Sequence, residues 1–207
     1  MKRGKFIIID GGEGAGKTTL LQKLPALFPN LKLKLTREPG DTRYAEGVHA
    51  FMLSEAAQNA SLESQFALSW AGRHDHVREG IVPFLRKGIS VICDRFDASM
   101  YAYQVYSQSG RHLEKLFWIT RELFLGRAKP HLYIFLDVDP EVGLARVALR
   151  DGKTAHLDKR HLDFHQSVRK GLIQFFKKVP HVKINANQSL EKVEADFVQV
   201  LQKTLHI

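Results

Sequence analysis

The chain has 207 residues, a formal net charge of +9, 44% hydrophobic residues and 26% charged residues. That length allows a substantial core, and the composition is that of a folded globule rather than a disordered or fibrous chain. No apolar stretch approaches 18 residues, the basic N-terminus runs straight into a strand-like segment, and a single cysteine excludes an internal disulfide. The expectation is therefore one cytoplasmic domain spanning 1–207. The positive charge fits nucleic acid, a polyanionic small molecule or a merely soluble surface, but no run of five Lys/Arg occurs, so nucleic acid is not the expected partner.

The first element is a short apolar run, Phe6-Ile7-Ile8-Ile9, which predicts a buried parallel strand over 5–10. It leads into Gly11-Gly12-Glu13-Gly14-Ala15-Gly16-Lys17-Thr18-Thr19, which contains G-x-x-x-x-G-K-T. The glycines let successive backbone N–H groups face one anion, and a following helix adds the positive end of its dipole. Lys17 would reach the β- and γ-phosphates of a nucleoside triphosphate, and Thr18 would offer a hydroxyl to Mg²⁺. Pro25 shortens or kinks that helix.

A second strand is predicted over 31–36, alternating and half exposed. It closes in Thr36-Arg37-Glu38-Pro39-Gly40, where Arg37 is placed to meet a phosphate or to form a surface ion pair. Helical spacing of Leu62, Phe66, Trp70, Val77 and Ile81 predicts a helix over 62–82 that carries Arg73. His74 and His76 read as surface residues. The strand over 89–94 contains Cys93, expected as an inert buried thiol. It ends at Asp94-Arg95-Phe96, where Asp94 can hold Mg²⁺ directly or through water, or serve as a structural partner of Arg95.

Further helices are predicted over 111–125, from Asp139-Pro140 onward, over 160–178 and over 190–205 with Ser189 as cap; strands are predicted over 131–138 and 181–185. The polar stretch 150–160 reads either as a mobile lid or as an exposed loop. The alternation of strands and helices argues for an α/β fold with a parallel sheet.

The motifs taken together resemble the thymidylate kinase family of P-loop nucleoside-monophosphate kinases. The resemblance rests on the phosphate loop at 11–19, Thr-Arg-Glu-Pro-Gly at 36–40 and Ala-Gly-Arg-His-Asp-His-Val at 71–77. Asp-Arg-Phe at 94–96, Ala-Tyr-Gln at 102–104, Leu-Asp-Val-Asp-Pro-Glu at 136–141 and Ile-Asn-Ala-Asn at 184–187 complete it. It implies a five-stranded parallel sheet flanked by helices, a homodimer, and transfer of a phosphoryl group from ATP to dTMP with Mg²⁺.

Carried over by position, Gly11, Gly12, Glu13, Gly14, Ala15, Gly16, Lys17, Thr18 and Thr19 would bind ATP, with Thr18 and Asp94 on the metal. Glu13 would lie near the 3′-hydroxyl of the monophosphate. Arg37 and Arg95 would grip the acceptor phosphate, Arg73 would meet the base, and Ser99, Tyr103 and Gln104 would complete the acceptor site, with Tyr103 favouring deoxyribose. Ala186 would lie beside adenine. The loop has no arginine between Gly12 and Lys17, so a lid at about 147–160 would supply one, with Arg150 the first candidate and Arg146 the next.

The chain departs from the family pattern at Ser69, where a Phe that stacks on thymine is usual, and at Asp41, His49 and Met100. Either the stacking contact is missing or Trp70 or Phe66 supplies it, although helix geometry turns neighbouring residues about 100° away. The alternatives are a related kinase with another monophosphate acceptor, or a weakly catalytic nucleotide-binding homologue.

Overall fold

Five parallel strands form the sheet of this computed structural model, which describes residues 3–150, 152 and 159–207, the side chains of residues 159 and 160 excepted. They are β1 (Phe6–Gly11), β2 (Leu33–Arg37), β3 (Ser90–Asp94), β4 (Leu132–Asp137) and β5 (His181–Asn185), in the order β2-β3-β1-β4-β5. The hydrophobic pattern explains that order. Every residue of β1 is buried, as a central strand covered on both faces requires, whereas Lys34 in β2 and His181 and Lys183 in β5 mark the two edges.

Successive residues of each strand feed opposite faces. Phe6, Ile8, Val91, Cys93, Tyr133 and Phe135 enter one core with Trp70, Phe117 and Phe175. Ile7, Ile9, Ile92, Ile134 and Leu136 enter the other with Leu20, Leu24, Val193, Phe197 and Leu201. Cys93 is fully buried and burial pushes its thiol well up, in keeping with an inert side chain.

The helices are α1 (Lys17–Leu27), α2 (Arg43–Met52), α3 (Glu55–Gln58), α4 (Leu62–Asp75), α5 (Val82–Arg86), α6 (Asp97–Met100), α7 (Glu114–Leu125), α8 (Pro140–Arg150), α9 (Lys159–Phe176) and α10 (Leu190–Leu205). Pro25 lies in the last turn of α1, two residues before it ends. The segment expected as one helix over 62–82 is divided, because His76–Ile81 forms a wider π turn before α5. Pro83 has no N–H to donate and its ring presses on the carbonyl four residues back, which falls inside that turn.

The helical stretches α2, α3, α6 and Tyr101–Ser107 lie outside the helices expected from the sequence. In α2 the apolar residues Tyr44, Ala45, Val48, Phe51 and Met52 fall at helical spacing, although only Ala45 and Val48 are buried, and Thr42 caps the helix by accepting from the Ala45 N–H at 3.1 Å. Residues Tyr101–Ser107 form a second π turn after α6. It packs on α9 at Gly171, where a Cβ would stand 2.8 Å from Cβ of Tyr106 and 2.9 Å from Cα of Ala102. Of the expected lid at 147–160, residues 147–150 are the last turn of α8, while 151 and 153–158 lie outside the described residues. No helix among the described residues is long and apolar enough to cross a membrane.

Candidate nucleotide site

The C-terminal ends of β1, β2 and β3 place three sequence motifs side by side. Register pairs Ile9 with Asp94 and Arg37 with Asp94, so the phosphate loop, the Arg-Glu-Pro-Gly turn and the Asp-Arg-Phe turn leave the sheet at one edge. The loop between Gly11 and Lys17 takes left-handed conformations at Gly14 (φ 67°) and Gly16 (φ 89°), which only glycine adopts without strain. Gly14 also meets α8 so closely that a Cβ would fall 2.1 Å from the Gly143 carbonyl oxygen. A Cβ on Gly143 would in turn fall 2.2 Å from the Glu13 carbonyl oxygen. The sequence reading missed Gly143, whose only signal is a glycine inside a helix.

Lys17 lies across the loop, donating to the carbonyls of Gly11 at 2.9 Å and Gly12 at 2.7 Å. It is buried, and that desolvation, with the positive Arg95 adding to it, lowers its pKa to about 8. Asp10, also missed, ends the apolar run of β1 with its carboxylate completely buried. It accepts from the N–H of Gly11 at 2.8 Å, the N–H of Ser99 at 3.1 Å and the Ser99 hydroxyl at 2.8 Å, and burial raises its pKa. Asp10 thus ties the phosphate loop to the turn after β3. Arg95 in that turn has φ 61°, unusual for a residue with a side chain, and donates from Nη1 to Ser99 Oγ at 3.1 Å.

Two cavities open here. The first, about 620 Å³, is lined by Glu13 to Thr19, Asp94, Arg95, Arg146, Arg150, Gln188 and Val193. The second, about 330 Å³, is lined by Glu13, Glu38, Ser69, Arg73, Arg95, Ser99, Met100, Tyr103 and Gln104, among others. Glu13 and Arg95 belong to both, so the cavities meet at these two side chains.

Most of the predicted site residues are thereby brought together, and the remainder lie elsewhere. Arg37 stands at the strand end next to Arg95, but its side chain is 64% exposed and faces Glu46 at 3.5 Å, outside the lining of both cavities. Arg73, by contrast, is buried. Its guanidinium donates to Glu38 Oε1, from Nε at 2.8 Å and from Nη2, and from Nη1 to Met100 Sδ at 2.9 Å. Trp70 and Phe66, the two rings considered for stacking, are core residues packed on each other, with Trp70 also against Phe117; the aromatic rings that line the second cavity are those of His76, Phe96 and Tyr103. Burial raises the Tyr103 pKa, which keeps it a neutral phenol.

His76 is fully buried rather than at the surface, and its Nε2 lies 2.8 Å from Thr36 Oγ1. Helical spacing puts it on the face of buried Arg73, three residues back, and Gly72, four residues back, and that face turns inward. Asp41 is held by Lys34 at 2.9 Å, which offsets the negative charge that the sequence puts near a phosphate site.

Around the first cavity, Arg146 donates from Nη1 to the carbonyl of Ala186 at 2.7 Å and from Nη2 to that of Gln188 at 3.2 Å. It is thus fastened to the 186–188 turn, while Arg150 ends α8 at the cavity wall. Below Arg95, a buried triad supports α6. Arg121 donates to Asp97 at 2.6 Å and to the Tyr133 hydroxyl at 3.1 Å, and that hydroxyl donates to Asp97 at 2.6 Å.

A profile of the family described as thymidylate kinase matches residues 9–197. The chain belongs to the thymidylate kinase family. Similar proteins include the thymidylate kinases of Bacillus cereus (strain Q1), Bacillus anthracis (strain A0248) and Bacillus thuringiensis subsp. konkukian (strain 97-27). Each is 36% identical over 208 residues, covering 98% of this chain and 99% of the relative. The thymidylate kinase match thus includes the phosphate loop, the Arg-Glu-Pro-Gly turn and the Asp-Arg-Phe turn at the two cavities.

Proposed function

We propose that this chain transfers the γ-phosphoryl group of ATP to dTMP, giving ADP and dTDP. The observation that carries the reading is the meeting of two cavities at Glu13 and Arg95, one walled by a phosphate loop and the other by Arg73, Tyr103 and Gln104. Phosphoryl transfer needs two substrates held in line and their charge neutralised, more than it needs a covalent group. The loop N–H groups and Lys17 hold the donor phosphates. Arg95 bridges toward the acceptor phosphate, and Glu13 lies beside the acceptor sugar. Arg73 and Gln104 face the base, and Tyr103 crowds the sugar.

Asp94 Oδ1 is buried without a hydrogen-bond partner among the described residues, and Asp94 lines the first cavity together with Thr18. A carboxylate and a hydroxyl are hard oxygen donors that fit Mg²⁺, which takes few protein ligands and completes its shell with water and phosphate. Thr18 and Asp94 would hold it, and when bound it would neutralise charge on the donor phosphates.

The exposed stripe Leu116, Ile119 and Leu123 on α7, with Tyr44 and Phe51 on α2, supports a homodimer. A single cytoplasmic kinase domain fits the same reading.

The test is ADP release with MgATP and a panel of dTMP, dUMP, dCMP, dGMP and AMP. The expected result is the highest kcat/KM with dTMP. A higher value for another monophosphate makes the chain a related kinase. ATP binding without ADP release on any acceptor makes it a nucleotide-binding homologue.

A further inference from the structure

Ser69 lies on α4 four residues before Arg73, at the wall of the second cavity. Its Oγ is 2.9 Å from the Gln65 carbonyl oxygen one turn back and 3.2 Å from Nε2 of Gln104. A serine hydroxyl has one proton and two lone pairs. The Gln65 carbonyl can only accept, so the proton is committed to it; Met52 Sδ, at 4.0 Å, is a weaker acceptor for the same hydrogen. Ser69 therefore offers Gln104 a lone pair, and the end of the amide that satisfies a lone pair is NH₂. The opposite amide orientation would set Oε1 against a hydroxyl with no proton to give.

The consequence falls on Gln104 Oε1. It is buried and has no hydrogen-bond partner among the described residues, and Gln104 lines the second cavity. A buried carbonyl oxygen without a donor is costly, and a ligand that brings an N–H relieves the cost. A ligand that brings a bare ring nitrogen instead sets lone pair against lone pair.

We propose that Ser69 is a specificity-positioning residue: by holding the Gln104 amide in one orientation it makes the cavity wall an acceptor, which selects monophosphates whose base presents an imide N–H over those that present an unprotonated ring nitrogen. This rests on the second cavity being the acceptor site. Thymine and uracil carry the imide N–H; cytosine, of the same ring size, carries a ring nitrogen without hydrogen. Where a stacking ring would contribute area, this serine contributes polarity.

The test compares dUMP with dCMP, which share sugar, phosphate and ring size and both lack the methyl group, with dTMP as reference. Wild type is expected to favour dUMP over dCMP in kcat/KM. Ser69→Ala frees the amide to rotate, and the dUMP/dCMP ratio is expected to fall about tenfold, the size set by one unpaired buried polar group. The change should come through the acceptor KM, with the KM for ATP and the melting temperature held. Ser69→Thr keeps a hydroxyl that can bond the carbonyl four residues back, and should restore the ratio.

An unchanged ratio in Ser69→Ala overturns the proposal, as does a ratio equally relaxed in Ser69→Thr. Failure of the underlying reading is seen separately, in wild type alone. A wild-type protein that prefers dCMP, or uses no pyrimidine monophosphate, overturns the acceptor assignment and this proposal with it.

Discussion

Nucleotide binding should draw a proton into the phosphate loop, and the buried state of Lys17 sets how much. Without a ligand its ammonium is buried, donates to two carbonyls and has a pKa of about 8 against an ordinary 10.5. Burial favours the neutral amine in the folded state. Between the folded and unfolded values the folded chain sheds this proton first, so the penalty of the buried charge is relieved as pH rises from about 8 toward 10.5. A triphosphate reverses the preference by placing anionic oxygens at Nζ.

If the bound pKa returns to its ordinary value, about a quarter of Lys17 is protonated before binding at pH 8.5 and nearly all of it after. The uptake is then about 0.75 proton per MgATP at pH 8.5 and about 0.25 at pH 7.5. Calorimetric titration in buffers of different ionisation enthalpy reads this directly, from the slope of observed heat against buffer heat. His165 also has a lowered pKa, through burial, but from 6.5, so it contributes nothing at pH 8.5. An uptake below about 0.2 proton at pH 8.5, or one that does not grow from pH 7.5 to 8.5, would refute the account of Lys17.

Arg95→Ala should lower kcat at least ~100-fold, the loss typical of one preorganised charge-stabilising donor, with ATP affinity nearly unchanged by calorimetry; an equal loss of ATP affinity refutes that division of labour. Gly143→Ala places a Cβ 2.2 Å from the Glu13 carbonyl and must push the phosphate loop off α8. The expected fall in kcat/KM for ATP is at least ~10-fold, measured by steady-state kinetics, and wild-type values would show that the contact is dispensable. Arg121→Met leaves the Asp97 carboxylate buried with only Tyr133 as its hydrogen-bond donor in the triad. Urea unfolding should show a loss of about 3–5 kcal/mol, and a loss under ~1 kcal/mol would mean that the triad contributes little net stability.

The fold was legible because its signals are local. An apolar run before a glycine-rich loop, strand-like segments alternating with helical periods, and Ser189 before an amphipathic stretch depend on neighbours within a few residues. The same holds for Lys17, Asp94 and Arg95, since a strand end and the residues just beyond it face the ligand edge of a parallel sheet whatever the rest of the chain does.

Tertiary structure decided the rest, because burial and partner choice join residues far apart in sequence. Glu38 rather than Arg37 turns inward, since Arg73 on α4 supplies its partner. His76 is buried because the face of α4 that also carries Gly72 and Arg73 packs toward Thr36 at the end of β2, and a lowered Lys17 pKa requires walls that come from the turn after β3 as well as from its own loop. Ser69 reads in the sequence as a missing ring. Only the packing of α4 against the second π turn brings it within hydrogen-bond reach of Gln104, 35 residues away, and so determines which end of that amide faces the acceptor cavity.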